Sequence, residues 1–282
     1  MVHGRTTAGV AALALALALS ACGGGESDEV SESPESDPSP VSVVVIGDSI
    51  PFNAAEDCPG CTAFVDSYGT ALGEELDATV EVANYSRHDG AKTRDILEQL
   101  TAGELTEPLA SADVVIVSVG FNDQPPYTDT GQPCHVEEPA SAAEAFDAVL
   151  DTTEECVSTA TRALRETAAE VLREVRAQAP DAAVAGLVPY DSWNGWLGVE
   201  NTPTAERQAV TRLISYSLVA WREALCAEVD AVDGVCIDVY QAFNGADGRR
   251  PSGDLLASDY THPSQAGNDR IRDLLLEADL VG

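Results

Sequence analysis

Ser49, Asp259 and His262 are the residues whose types and spacing could together perform acyl transfer. A serine hydroxyl is a poor nucleophile at neutral pH, so it needs a base to take its proton; a histidine can do that and later protonate the leaving alkoxide. A carboxylate can hold that histidine so that one ring nitrogen keeps its lone pair toward the serine. Asp259 lies three positions before His262, and a turn at the start of the last helix would bring its carboxylate to the ring nitrogen that faces away from Ser49. Attack on an ester creates an oxyanion, which the backbone N–H groups of Ser49 and Gly90 and the side-chain amide of Asn122 could receive. These residues are useful only if the fold brings them together.

Ser49 follows the β-branched run Val43-Val44-Val45-Ile46 and Gly47, which reads as a buried strand ending in a tight turn. Asp48, in that turn, is expected to bond turn amides rather than substrate. Further strands are predicted at Thr79–Ala83, Val114–Val119, Ala182–Val188 and Val235–Val239. Between them, helical periodicity covers Ala63–Leu76 with Phe64, Tyr68 and Leu72 inward, and Lys92–Leu100. It also covers Ser141–Gln178, which Cys156 can interrupt, with Leu164, Ala168, Val171, Leu172 and Val175 on one face. Pro203–Glu228 buries Val210, Ile214, Trp221 and Leu225, and a final helix carries Pro263 in its first turn and Ile271, Leu274 and Leu275 inward.

Strands alternating with helices imply a five-stranded parallel sheet in a flavodoxin-like, three-layer α/β/α fold, because parallel neighbours need right-handed crossovers. In such a sheet ligands bind at the carboxyl ends of the strands. Ser49, Gly90, Asn122 and the Asp259–His262 pair each follow a strand or lie in the last loop, so they are expected to converge there. Two long loops belong to the same edge: Gln124–Pro139, with four prolines, and Pro189–Thr202, with Trp193 and Trp196. These two are the candidate substrate contacts, lining an acyl pocket or stacking on a sugar, with one of the two favoured in the pocket over packing into the core. His88 is expected to be an exposed loop residue and His135 to lie on the surface.

Four blocks, Gly47-Asp48-Ser49, Gly90, Gly120-Phe121-Asn122-Asp123 and Asp259-Tyr260-Thr261-His262, occur in the order seen in the SGNH hydrolases, also called the GDSL esterase and lipase family. The sequence resembles that family across nearly the whole domain. The resemblance implies a serine ester hydrolase on short to medium acyl esters, with Ser49, His262 and Asp259 as the catalytic triad and Ser49, Gly90 and Asn122 as the oxyanion hole. Carbohydrate O-deacetylation stands as the alternative within enzymes, and a non-catalytic surface binding protein as the alternative from another class. Ile50 replaces the family's usual leucine. Asp89 stands where a small residue is usual, and its carboxylate is expected to point outward, toward Arg87 or Lys92.

At the N-terminus, Arg5, the apolar stretch Ala8–Leu19 and small residues before Cys22 have the form of an export signal, too short to span a membrane. Leu19-Ser20-Ala21-Cys22 resembles a bacterial lipobox, which implies a signal over residues 1–21 and a lipid on Cys22. Residues 22–40 then read as a disordered tether, since they are rich in Gly, Ser, Pro and acid and almost devoid of apolar side chains. Residues 41–282 form the domain.

The formal charge is −33, from 48 acidic and 15 basic residues. Most of that acidity lies in the domain, which argues against nucleic acid or an anionic lipid surface as partner. A monomer held at the outer face of the cell membrane by its lipid is expected, with a small ester as partner and no cofactor. The remaining cysteines, Cys58, Cys61, Cys134, Cys156, Cys226 and Cys236, are even in number, and in an exported chain they suggest disulfides between sequence neighbours. A redox role for Cys58 and Cys61, and a zinc site of Cys58, Cys61, Cys134 and His135, are the rival readings; no metal is expected.

Overall fold

The computed structural model describes residues 39–88, 90–124, 128, 131, 134–135, 141–194 and 204–282. The export signal, Cys22, most of the tether, Asp89, Trp196 and much of the two long loops lie outside the described residues. Five parallel strands, β1 (Val41–Gly47), β2 (Val80–Asn84), β3 (Val114–Ser118), β4 (Ala183–Leu187) and β5 (Val235–Ile237), pair in the order β2-β1-β3-β4-β5. This is the flavodoxin-like order expected, with the switch point between β1 and β3.

The register explains why the central strands are continuous apolar runs. Val43 pairs with Val114 and Val44 with Val115, so alternate residues of both strands face the same side. Val44, Ile46, Val115 and Val117 pack in one core cluster; Val43, Val45, Val114 and Ile116 pack in the other. Helices α3 (Thr93–Thr101), α6 (Glu154–Gln178) and α7 (Thr204–Asp230) cover the first face. Helices α2 (Phe64–Leu76), α8 (Val239–Asn244) and α9 (Gln265–Glu277) cover the second. The edges are blunted: β2 is half-exposed and β5 is three residues long.

Local polar groups shift several expected boundaries. The helix expected over Ser141–Gln178, open to interruption near Cys156, is two helices, α5 (Ala142–Leu150) and α6, because the Thr153 hydroxyl accepts the Cys156 N–H and starts a new N-terminus. Strand β5 ends before Val239 because the Asp238 carboxylate caps α8 through the Gln241 N–H. Pro263 lies outside α9 rather than in its first turn, since Ser264 is the cap, accepting from Gly267 N–H. Two short helices, α1 (Ser49–Phe52) and α4 (Thr106–Ala110), have too few residues to show a period.

The cysteines pair as sequence neighbours: Cys58–Cys61, Cys134–Cys156 and Cys226–Cys236. None is therefore a thiolate available for the zinc site weighed from sequence. The third bridge fastens α7 to β5. Among the described residues no helix is long and apolar enough to cross a membrane.

Candidate active site

The turn after β1 presents Ser49. Asp48 caps α1, its Oδ1 accepting the Ile50 N–H at 3.1 Å and the Ser118 hydroxyl at 3.4 Å. Ser49 is then the first residue of a four-residue helix, only 7% exposed, and its N–H has no acceptor within that helix.

His262 comes from the segment before α9. Leu256 and Pro263 form an antiparallel bridge, Ala257 N–H donates to His262 O at 2.8 Å, and Ser264 N–H donates to Leu255 O at 2.9 Å. Inside this clasp Asp259 uses its two oxygens for different tasks. Oδ1 accepts the backbone N–H groups of Thr261 and His262 at 3.0 and 3.1 Å, and Oδ2 meets His262 Nδ1 at 2.5 Å. Tyr260, between them, takes the left-handed conformation at φ 58°, which makes this a separate turn and not the first turn of a helix. His262 Nε2 lies 3.0 Å from Ser49 Oγ. The structure thus brings Ser49, Asp259 and His262 into one line of hydrogen bonds.

Buried amides hold the two halves of this line together. Asn268, fully buried on α9, donates to Pro263 O, Ser264 O and Asn53 Oδ1, and accepts the Phe64 N–H. Tyr190 donates to Thr261 O at 2.6 Å, from a ring stacked on Phe243.

After β3, Asn122 Nδ2 donates one hydrogen to Ala91 O at 3.0 Å, leaving the second N–H of its amide for a ligand. Asp123 accepts from Thr93 N and Thr93 Oγ1, so the β3 and β2 loops are tied beside each other. Gly90 has φ 73° and a Cβ there would meet nothing within 4 Å, so backbone conformation and not crowding by protein requires a glycine. Gly120 answers to both: at φ 92°, its Cβ would fall 2.5 Å from the buried Trp221 Nε1.

His88 departs from expectation. Backbone bonds from Tyr85 N–H to Val45 O and from Arg87 N–H to Gly47 O carry the β2 loop along β1 toward Ser49. His88 Nε2 meets Asp57 Oδ2 at 3.1 Å, and its ring lies 6.3 Å from that of His262. Asp57 Oδ1 is also 3.5 Å from His262 Nδ1. A second carboxylate therefore faces His262, and the sequence reading missed it. Its one signal was its place beside the Cys58–Cys61 pair, in the loop that follows Ser49. His135 is half-buried and bonded to Thr128 O rather than lying on the surface.

Next to Asn122 opens a cavity of about 250 Å³, walled by Phe121, Tyr190, Trp193, Ile214 and Leu218, with Ser217 donating to Gln124 Oε1 at its side. Trp193 thus stands on the pocket, as expected of one of the two tryptophans. Its loop hangs from a buried polar knot. Asp191 N–H donates to Asn244 Oδ1, Asn244 Nδ2 and Ser252 Oγ donate to Asp191 O, and Asp191 Oδ1 accepts the N–H groups of Trp193 and Asn194.

Two carboxyls beneath this edge are strongly perturbed. Burial pushes Asp48 up to about 7, against the Ile50 N–H bond and with help from the Asp123 charge. Burial likewise pushes Asp191 up to about 7, against the bonds from Trp193 and Asn194.

The sequence matches the family described as GDSL-like lipase/acylhydrolase over residues 45–270. A lipase from a goat rumen metagenome is similar in structure, with a TM-score of 0.64 at 18% identity, over 85% of this chain and 98% of that one. An extracellular lipase from Streptomyces rimosus matches at 0.55 and 18% over 84% and 99% of the two chains. A phospholipase A1 from Streptomyces albidoflavus matches at 0.53 and 19% over 85% and 100%. No curated protein sequence matches.

Proposed function

The chain belongs to the GDSL-like lipase/acylhydrolase family, and from that premise we propose that it hydrolyses short to medium carboxylic esters through an acyl-enzyme on Ser49. The observation that carries this is the unbroken line from Asp259 through His262 to Ser49 Oγ. His262 takes the serine proton through Nε2 as the oxygen attacks, and returns it to the departing alkoxide. Asp259 keeps the other ring proton on Nδ1 and stabilises the imidazolium. The N–H groups of Ser49 and Gly90 and the second N–H of Asn122 receive the oxyanion. A water activated by the same histidine then releases the acid.

The cavity of about 250 Å³, to which Phe121, Trp193, Ile214 and Leu218 give an apolar wall, takes the acyl chain. That volume lies below the usual range of ligand pockets, which supports butyryl to octanoyl chains over long fatty acyl groups. Export and lipidation at Cys22, with residues 23–40 as a tether, complete the proposal, and Cys22→Ser should release the protein from membranes.

The test is labelling by a fluorophosphonate together with turnover of acetyl, butyryl and octanoyl esters and acetylated sugars. Labelling of wild type but not Ser49→Ala, with the best kcat/KM between butyryl and octanoyl esters, is the expected result. Absence of labelling sinks the proposal, and a preference for acetylated sugars moves it to O-deacetylation.

A further inference from the structure

We propose that Asp57, His88 and His262 form a binding site for a divalent cation of the zinc class, and that its occupation switches the base off. One donor atom from each residue lies within 4.8 Å of the others. The two oxygens of Asp57 reach one histidine each, Oδ2 at 3.1 Å from His88 Nε2 and Oδ1 at 3.5 Å from His262 Nδ1. Donors bound tetrahedrally to zinc at 2.0–2.2 Å are spaced by roughly 3.4 Å, so small ring rotations close this set around one ion. Two imidazoles and a carboxylate suit zinc; an all-oxygen site would suit magnesium or calcium instead.

The site is preset and reachable. Asp57 sits in a turn closed by its own N–H to Ala54 O at 3.0 Å and by the adjoining Cys58–Cys61 bridge. The side chains of Asp57 and His262 are 12% and 13% exposed and that of His88 26%, so an ion can enter from solvent without unfolding. A chain of formal charge −33 draws cations to its surface.

The consequence follows from the two ring nitrogens. As base, His262 carries its proton on Nδ1 and keeps the Nε2 lone pair toward Ser49 Oγ. A cation that binds Nδ1 displaces that proton, and the neutral ring can hold one only on Nε2. Nε2–H then donates to Ser49 and can no longer accept its proton. His88, whose Nε2–H donates to Asp57 before the ion enters, likewise gives up that proton, holds its one remaining proton on Nδ1 and offers the Nε2 lone pair to the ion. No bond other than N–H is broken and no electron is transferred, so removal of the ion restores the base. The switch rests on His262 acting as base; the binding does not.

The experiment is a titration of the purified protein with zinc against a chromophoric chelator, alongside ester turnover and fluorophosphonate labelling. Wild type should bind one zinc per chain, lose turnover and labelling in step with occupancy, and recover both with EDTA, while magnesium does nothing. His88→Ala and Asp57→Asn should each weaken binding about tenfold or more, with melting curves checking that each variant folds. Absence of stoichiometric binding, undiminished binding in both variants, or full labelling at full occupancy overturns the proposal. Wild type inert toward every ester and toward the fluorophosphonate would instead refute the esterase proposal and leave the zinc titration readable.

Discussion

The two walls of the candidate site are built on opposite plans. Each half of the proposed catalytic wall is held by contacts short in sequence, Asp48 to Ile50 and Asp259 to Thr261 and His262, and the halves meet where His262 Nε2 reaches Ser49 Oγ. The pocket wall takes Phe121 from the loop after β3, Trp193 from the loop after β4 and Ile214 with Leu218 from α7. Chemistry needs fixed distances between a few polar atoms, which tight turns deliver. A pocket needs only apolar volume, which any large side chain at the right depth supplies. Substitutions on the first wall should therefore act on rate, and those on the second on selectivity.

The largest effect belongs to Ser49→Ala, which should abolish both turnover and covalent labelling, since the attacking oxygen is gone. His262→Ala and Asp259→Asn should follow, with kcat lower by about 10⁴ because serine loses a correctly presented base. Asn122→Ala should lower kcat by roughly 10² to 10³ with little change in KM, and slow labelling should persist. If it were instead fully active, the oxyanion would have to be held elsewhere, and the catalytic wall would be misassigned.

Across the pocket, Trp193→Ala should leave acetyl ester turnover within about a factor of three while changing the octanoyl-to-acetyl ratio of kcat/KM by about tenfold, the scale on which hydrophobic pockets discriminate methylenes. A uniform loss on all esters would show that the walls are not separable. The smallest effect is on stability. The Asp191 carboxyl stands at about 7 in the folded chain against an ordinary 3.8, so between those values the native state holds more protons than the unfolded one. Stability from this group is complete below pH 3.8, falls as pH rises through that window, and is lost above pH 7. Asp191→Asn should flatten the fall of melting temperature between pH 5 and 8; an unchanged slope would deny the buried carboxyl its role.

The same contrast decides what could be read from the sequence. Runs such as Val43–Ile46 and Val114–Val117 are buried on both faces of a parallel sheet, so composition alone marks them. The Asp259–His262 spacing is legible because a single turn closes it. Asp57 and His88 are 31 residues apart and meet only because two loops are carried to the same edge, and no periodicity records that. The Asp191–Asn244–Ser252 knot is likewise invisible, since its partners look in sequence like ordinary turn residues. The break between α5 and α6 was legible only as an interruption near Cys156; the threonine followed by Glu154 and Glu155 is the helix start that places it.

Tyr190 belongs to both walls, its ring lining the pocket and its hydroxyl holding the carbonyl beside His262. Anyone enlarging the acyl pocket by mutagenesis thus has two unequal routes. Trimming Trp193, Ile214 or Leu218 leaves the bond to Thr261 intact but removes packing from the core they also fill, whereas trimming Tyr190 also loosens the turn that carries His262. Libraries built on the first three need a check on stability, and every substitution at Tyr190 calls in addition for a compensating donor to Thr261.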